Sequence, residues 1–195
     1  MANSNKPNGL QLVGTISGAP VNGNIRTYQM TGATAIFPGD AVKLDDATGL
    51  VAPAAAGDTL LGVCVGVKVD RSIASTEHPG YASASSAAYI QVAVGPDYLY
   101  SIQEDSAGGA MVITNIGSNG DIVATAGDTT LGYSKYTLDS SDVIANDASP
   151  ASAQLRVVDL DSVYGNAVGN YARWIVRINE NHFTATSSGA SLVGI

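Results

Sequence analysis

The feature that most constrains this chain is an alternation of period two. Val63, Val65, Val67 and Val69 alternate with Cys64, Gly66 and Lys68, as in a half-buried strand with one aliphatic face. The pattern recurs from Tyr89 to Val94, where Ile90, Val92 and Val94 share a face. It returns in Arg173-Trp-Ile-Val-Arg-Ile178, where Trp174, Val176 and Ile178 oppose Arg173, Ile175 and Arg177. Weaker strand signals cover 10–15, 25–30, 41–44, 98–102, 111–114, 133–138 and 155–160, with Gly, Pro, Asn and Asp between them as turn formers. No window of a dozen residues keeps an apolar face at i, i+3, i+4 and i+7. The most helical composition, 72–88, is cut by Pro79-Gly80. The expected fold is therefore all-β: an antiparallel barrel or sandwich of about ten short strands with little helix.

One nonapeptide pattern occurs twice. Ala54-Ala-Ala-Gly-Asp-Thr-Leu-Leu-Gly62 and Ala124-Thr-Ala-Gly-Asp-Thr-Thr-Leu-Gly132 share A-x-A-G-D-T-x-L-G. Two readings stay open: duplication of a small β unit, giving two similar units, or recurrence of a turn sequence common in glycine-rich β proteins. Under either, Gly57-Asp58 and Gly127-Asp128 are turn residues, glycine allowing positive φ and aspartate accepting backbone N–H bonds. The runs 83–88, 139–153 and 187–190 are low in complexity and read as loops or tail. A lobe boundary, if the chain has one, falls at 104–110.

Composition narrows the function classes. Charged residues are 13% of the 195, against roughly 25% in an ordinary soluble domain. Small polar residues must then form most of the exterior, unless a partner covers it. The net charge is −8, and the nine cations (Lys6, Arg26, Lys43, Lys68, Arg71, Lys135, Arg156, Arg173, Arg177) are scattered in sequence. Gripping a phosphate backbone takes clustered cations, so neither nucleic acid nor an anionic membrane is an expected partner. The opening MANSNKPNG lacks the apolar core of a secretory signal, and no run approaches the ~18 apolar residues of a membrane span. The expectation is synthesis in a cytoplasm, with a polar, extended N-terminal arm at 1–9 ahead of an all-β domain at 10–195.

Catalytic chemistry finds few residues to build on. His78 lies beside Pro79 and reads as a surface-loop residue. His182, within Asn179-Glu-Asn-His-Phe183, reads as a turn or interface residue. The lone Cys64 sits in the valine run, where a thiol behaves as a small buried hydrophobe. Asp45-Asp46, Asp139/Asp142 and Asp159/Asp161 could donate oxygens to Ca²⁺, but none sits in a D-x-D-x-D-G loop with a distal Glu. Trp174 reads as a core anchor. No phosphate-binding, hydrolase-elbow or zinc-protease fingerprint is present. The chain is expected to be non-enzymatic, with no catalytic, metal or cofactor-binding residue. Nine tyrosines against two phenylalanines suit half-wet contact surfaces. Tyr98, Tyr100, Tyr133 and Tyr136, with Lys6 and Pro7 of the arm, are the candidate interface residues.

Three segments carry a family resemblance: Asn5-Lys-Pro-Asn-Gly-Leu-Gln-Leu-Val-Gly14, Thr34-Ala-Ile-Phe-Pro-Gly-Asp-Ala-Val-Lys-Leu44 and residues 54–67, A-A-A-G-D-T-L-L-G-V-C-V-G-V. They resemble the capsid cement, or head decoration, proteins of tailed bacteriophages. Those proteins pair an N-terminal K-P-x-G-F/L-x-P-V segment with G-D-x-V-x-L and G-D-x-x-x-G-V-x-V-G strands. Leu12 stands where the family has proline. The resemblance runs best over residues 5–94, and it marks Gly39-Asp40 as a further structural turn. It implies a virion structural protein, often a homotrimer, that binds the outer capsid surface and clamps neighbouring major capsid protein subunits without a cofactor. The alternative is a carbohydrate- or receptor-binding β module of a tail fibre.

Overall fold

The computed structural model describes residues 3–68, 80–84, 88–145 and 153–183. In chain order these form β1 (Gln11–Thr15), β2 (Ile25–Gln29), β3 (Ala41–Leu44), β4 (Val51–Pro53), β5 (Gly62–Lys68), β6 (Tyr89–Ala93) and β7 (Tyr98–Gln103). There follow β8 (Asn119–Gly120), β9 (Ile122–Val123), β10 (Thr137–Leu138), the single α-helix α1 (Ser140–Ala145), β11 (Leu155–Leu160) and β12 (Arg173–Ile178). Two five-stranded antiparallel sheets result, ordered β1-β7-β12-β11-β8 and β2-β6-β5-β3-β4, beside a β9-β10 ribbon. Neither sheet closes on itself. Of the two architectures expected, the chain takes the sandwich.

The inner faces of both sheets meet in one core. Tyr98, Tyr100, Ile102, Leu155, Val157, Trp174, Val176 and Ile178 of the first sheet pack with Ala41, Val63 and Ala93 of the second. Each large side chain removed from water there stabilises the fold by roughly 1.5–3 kcal/mol. The second sheet is covered on its far side too. Val42, Cys64, Ile90 and Val92 pack there with Met30, Ile36, Leu61 and Ala82. That double burial explains why β5 reads Val-Cys-Val without a polar face.

The valine run of β5 does not keep one face. A bulge between Cys64 and Gly66 shifts its register against β6, so Val63 and Val65 serve the first core while Val67 joins Cys64 in the second. Residues 111–114 are not a strand. Ile113–Asn115 form a 3-10 turn that exposes Val112 and Ile113 and buries Met111. Of 133–138 only the last two residues are strand, and of 139–153 the start is the helix α1, whose first N–H groups are accepted by Asp139 Oδ1, Ser141 at 2.8 Å and Asp142 at 3.4 Å. β4 went unforeseen because it is three residues long and ends in Pro53, tolerable only on the sheet's edge. The 104–110 stretch separates no lobes. Glu104 is buried and its N–H donates to the Ala172 carbonyl at 3.0 Å, while one core draws on residues from both sides of it. The helix-prone window 72–88 falls largely outside the described residues, as do Val69, Arg71, His78 and 187–190.

Candidate functional site

The three segments that carry the family resemblance meet at one turn. Leu10 N–H donates to the Gly39 carbonyl at 2.9 Å, Gly39 N–H to Cys64 at 2.7 Å and Cys64 N–H to Asp40 at 2.8 Å. Leu61 N–H reaches the Val42 carbonyl at 2.8 Å, and Ala54 N–H the Ala41 carbonyl at 2.9 Å. Gly39 holds φ at 98°, a region closed to most side chains. Gly9 leaves no room for one: a Cβ there would lie 2.4 Å from both the Gly39 carbonyl oxygen and Ser134 Oγ. Asp40 is buried under this crossing and accepts the Phe37 N–H at 2.8 Å. Burial pushes its carboxyl up to about 6, against the pull of the Ser134 hydroxyl and the Phe37 N–H.

The two Gly-Asp repeats take different conformations. Gly57 has φ 77°; Asp58 accepts the Ala55 N–H at 2.8 Å and pairs with Lys43 at 2.9 Å. The Gln154 amide donates to the carbonyls of Ala55 at 2.7 Å and Asp58 at 2.8 Å. Gly127 instead lies against the Phe37 ring, where a Cβ would sit 2.4 Å from a ring carbon. Asp128 accepts the N–H groups of Thr130 at 2.9 Å and Leu131 at 3.0 Å. The Leu131 N–H and the Lys135 ammonium, 3.0 Å away, hold its carboxyl below the usual range. Gly62 then opens β5, whereas Gly132 turns at φ 74°. The shared letters mark two separate turns, each tied to a lysine, and the nonapeptide is not a repeated structural unit.

Three of the four candidate interface tyrosines are core residues. Tyr98 is 1% exposed and Tyr100 fully buried. Tyr98 donates its hydroxyl to the Val21 carbonyl and accepts the Asn24 N–H at 3.2 Å, while Tyr100 reaches the Ala93 carbonyl at 3.3 Å. Tyr136, also buried, bonds the Ala54 carbonyl at 2.9 Å. Their ring faces fill the space between the sheets and their hydroxyls satisfy carbonyls there, a use of tyrosine that composition does not separate from surface contact. Tyr133 is half-buried in a bridge with Asp128. The described part of the arm lies along its own chain. Lys6 N–H donates to Gln103 Oε1 at 2.9 Å, and the Gln103 amide to Ser4 at 2.8 Å and Tyr171 at 2.9 Å. Lys6 is exposed and Pro7 half-buried.

The chemistry-bearing residues stay apart. His182 N–H donates to the Leu60 carbonyl at 2.8 Å, and its ring stands edge-on to Phe183. Cys64 is buried and its thiol pushed up to about 12, first by burial. Glu104 is raised by burial while accepting the Met111 N–H at 3.0 Å. Asp142 is raised by burial and by its neighbours Asp139, Asp121 and Asp105. Asp45 caps its own turn through the N–H groups of Ala47 and Thr48. Among the described residues, no three His, Cys, Asp or Glu side chains are grouped to hold a metal ion.

Two surfaces were not foreseen. The β11–β12 loop exposes Val163, Tyr164 and Val168, with Tyr164 97% exposed, yet its base is pinned. Asn166 bonds Asp161 and Arg173 in three places, and Asn3 clamps Ala167 and Asn170. The other surface is the outer face of the first sheet, where register sets Arg156 directly opposite Arg177. The alternation of 173–178 placed Arg177 on an outer face; no sequence signal paired it with Arg156.

Compared with protein-family models, with curated proteins and with solved structures, the chain matches none.

Proposed function

We propose that this chain is a non-enzymatic virion structural protein that binds the outer surface of a phage capsid and stabilises contacts between major capsid protein subunits, self-associating as a homotrimer. The observation that carries the reading is the crossing at Gly39-Asp40. Three segments chosen on sequence alone prove to be one hydrogen-bonded unit, as expected if their joint resemblance reflects common architecture rather than three chance matches. The low charge fits a surface made to be covered, because ordering small side chains on association costs little. Co-sedimentation with heads assembled from the cognate capsid protein tests it. Saturable binding by an oligomer is expected; a monomer that ignores those heads would sink the proposal.

The second reading is a carbohydrate- or receptor-binding module of a tail fibre. Tyr164 favours it, a freely exposed ring on a pinned loop being the platform a sugar face stacks on. A glycan array answers this directly: hits abolished by Tyr164→Ala, without head binding, would reverse the order of the two.

A further inference from the structure

The outer face of the first sheet gathers cations that the sequence keeps apart. On β12, Arg173, Ile175 and Arg177 point away from the core that holds Trp174, Val176 and Ile178. Arg156 of β11 pairs with Arg177, and Leu99 of β7 pairs with Arg177 from the other side. Arg173 is satisfied internally: its Nε donates to Ser101 Oγ at 3.1 Å, and Ser101 bonds Asp161. Arg156 and Arg177 form no ion pair among the described residues, whereas Lys43 and Lys135 each do. Like charges placed directly opposite on neighbouring strands destabilise a sheet. The core does not need them, since both point outward, and no described carboxylate forms an ion pair with either; Asp159, the exposed acid on this face, stands opposite Ile175. Half-buried Leu99 and Ile175 lie beside them on the same face.

We propose that this face is a docking surface for a protein partner bearing paired carboxylates, which the two guanidinium groups bind side by side. Opposed residues on adjacent strands have Cα atoms roughly 4.5–5.5 Å apart, so the two planar donor forks stand close enough to engage neighbouring acids. Leu99 and Ile175 supply the apolar flank such a contact needs. Charge complementarity separates a carboxylate partner from a polyanion. A nucleic acid or anionic bilayer presents its field over many charges, which a chain of net −8 repels as a whole. Two carboxylates on a partner act within a Debye length of about 8 Å, where the local arginines dominate. The inference goes beyond the capsid reading, since it concerns the chemistry recognised, whichever protein bears it.

The test is a titration of the full-length protein with a soluble peptide of alternating Glu and Thr, followed by ¹H–¹⁵N NMR of the arginine Nε–H groups and the backbone. The expected result is coordinated shifts at Arg156, Arg177, Leu99 and Ile175 that vanish at high salt. Binding should weaken at least about tenfold in Arg156→Glu/Arg177→Glu. Arg156→Gln, a milder change at an exposed site that also relieves the like-charge pair, should leave the melting temperature at or above that of the wild type and still weaken binding, so a folding defect cannot mimic the effect. Absence of shifts, shifts spread equally over Lys6, Arg26 and Lys68, or equal binding by the variants would overturn the proposal. So would stronger shifts at the same arginines with a DNA duplex or with phosphatidylglycerol vesicles.

Discussion

Gly57 and Gly127 occupy the same place in the repeated A-x-A-G-D-T-x-L-G pattern, yet the structure requires glycine at each for a different reason. At Gly57 the requirement is conformational: φ is 77° and nothing lies within 4 Å of where a Cβ would be. An L-residue in that left-handed region costs about 1–2 kcal/mol. Gly57→Ala should therefore lower the melting temperature by about 2–8 °C in a chain this long, and Gly57→Asn by less, since asparagine tolerates the region. At Gly127 the requirement is space. A Cβ would meet three Phe37 ring atoms at 2.4, 2.5 and 2.7 Å, and Phe37 is stacked on Tyr81 with centroids 4.5 Å apart, so the ring has little room to retreat. Overpacking of this kind costs about 1–3 kcal/mol, and the larger asparagine must cost more than alanine. The signature is a reversed order: Asn milder than Ala at 57, Ala milder than Asn at 127. Urea unfolding of the four variants, compared at constant m-value, measures it. If asparagine proves the milder change at 127 as well, that glycine answers to backbone conformation and the two repeats share a turn after all.

Two further predictions concern the joint beneath the N-terminal segment. Burial raises the Asp40 carboxyl from 3.8 to about 6, so the unfolded chain loses this proton first as pH rises, and the folded state forfeits about 3 kcal/mol between about pH 4 and pH 6. Asp40→Asn abolishes that loss; unfolding free energies of wild type and variant should diverge in the variant's favour across the window, and parallel curves would contradict the assignment. Gln103→Leu removes the acceptor of the Lys6 N–H and the donor to Ser4 and Tyr171, so hydrogen exchange at the Lys6 amide should accelerate at least about tenfold, and unchanged protection would mean that other contacts hold the segment.

The docked N-terminal segment changes how its removal would be read. Residue 9 is a packing element at the Gly39 crossing and Leu10 is fully within the core. Deleting the segment therefore perturbs the fold, and lost attachment in such a variant would not identify a contact. Substitution of exposed Lys6 separates the two effects.

Local pattern made much of this molecule legible. Alternation placed β3, β6, β11 and β12 within a residue or two, because successive side chains there go to opposite faces, without a break in β12, into two cores in β3 and β6, and up to a bulge after Val157 in β11. It misjudged β5, where a bulge divides the valines between two cores, and 111–114, where apolar residues stand exposed around a 3-10 turn. In both places the deciding partners are remote in sequence. The tyrosines show the same limit: amphipathic rings suit a wet interface or a core rich in carbonyls, and only the Val21, Ala93 and Ala54 carbonyls decide between them.

The period-two pattern by itself determined the all-β class, since a side chain's face along a strand depends only on its neighbours' parity. Tertiary structure alone decided the rest: that the sheets remain open as a sandwich, that three distant motifs cross at one glycine, and that Arg156 faces Arg177. Those outcomes depend on strand order and register, which hydrogen bonds between remote segments set and no local window contains.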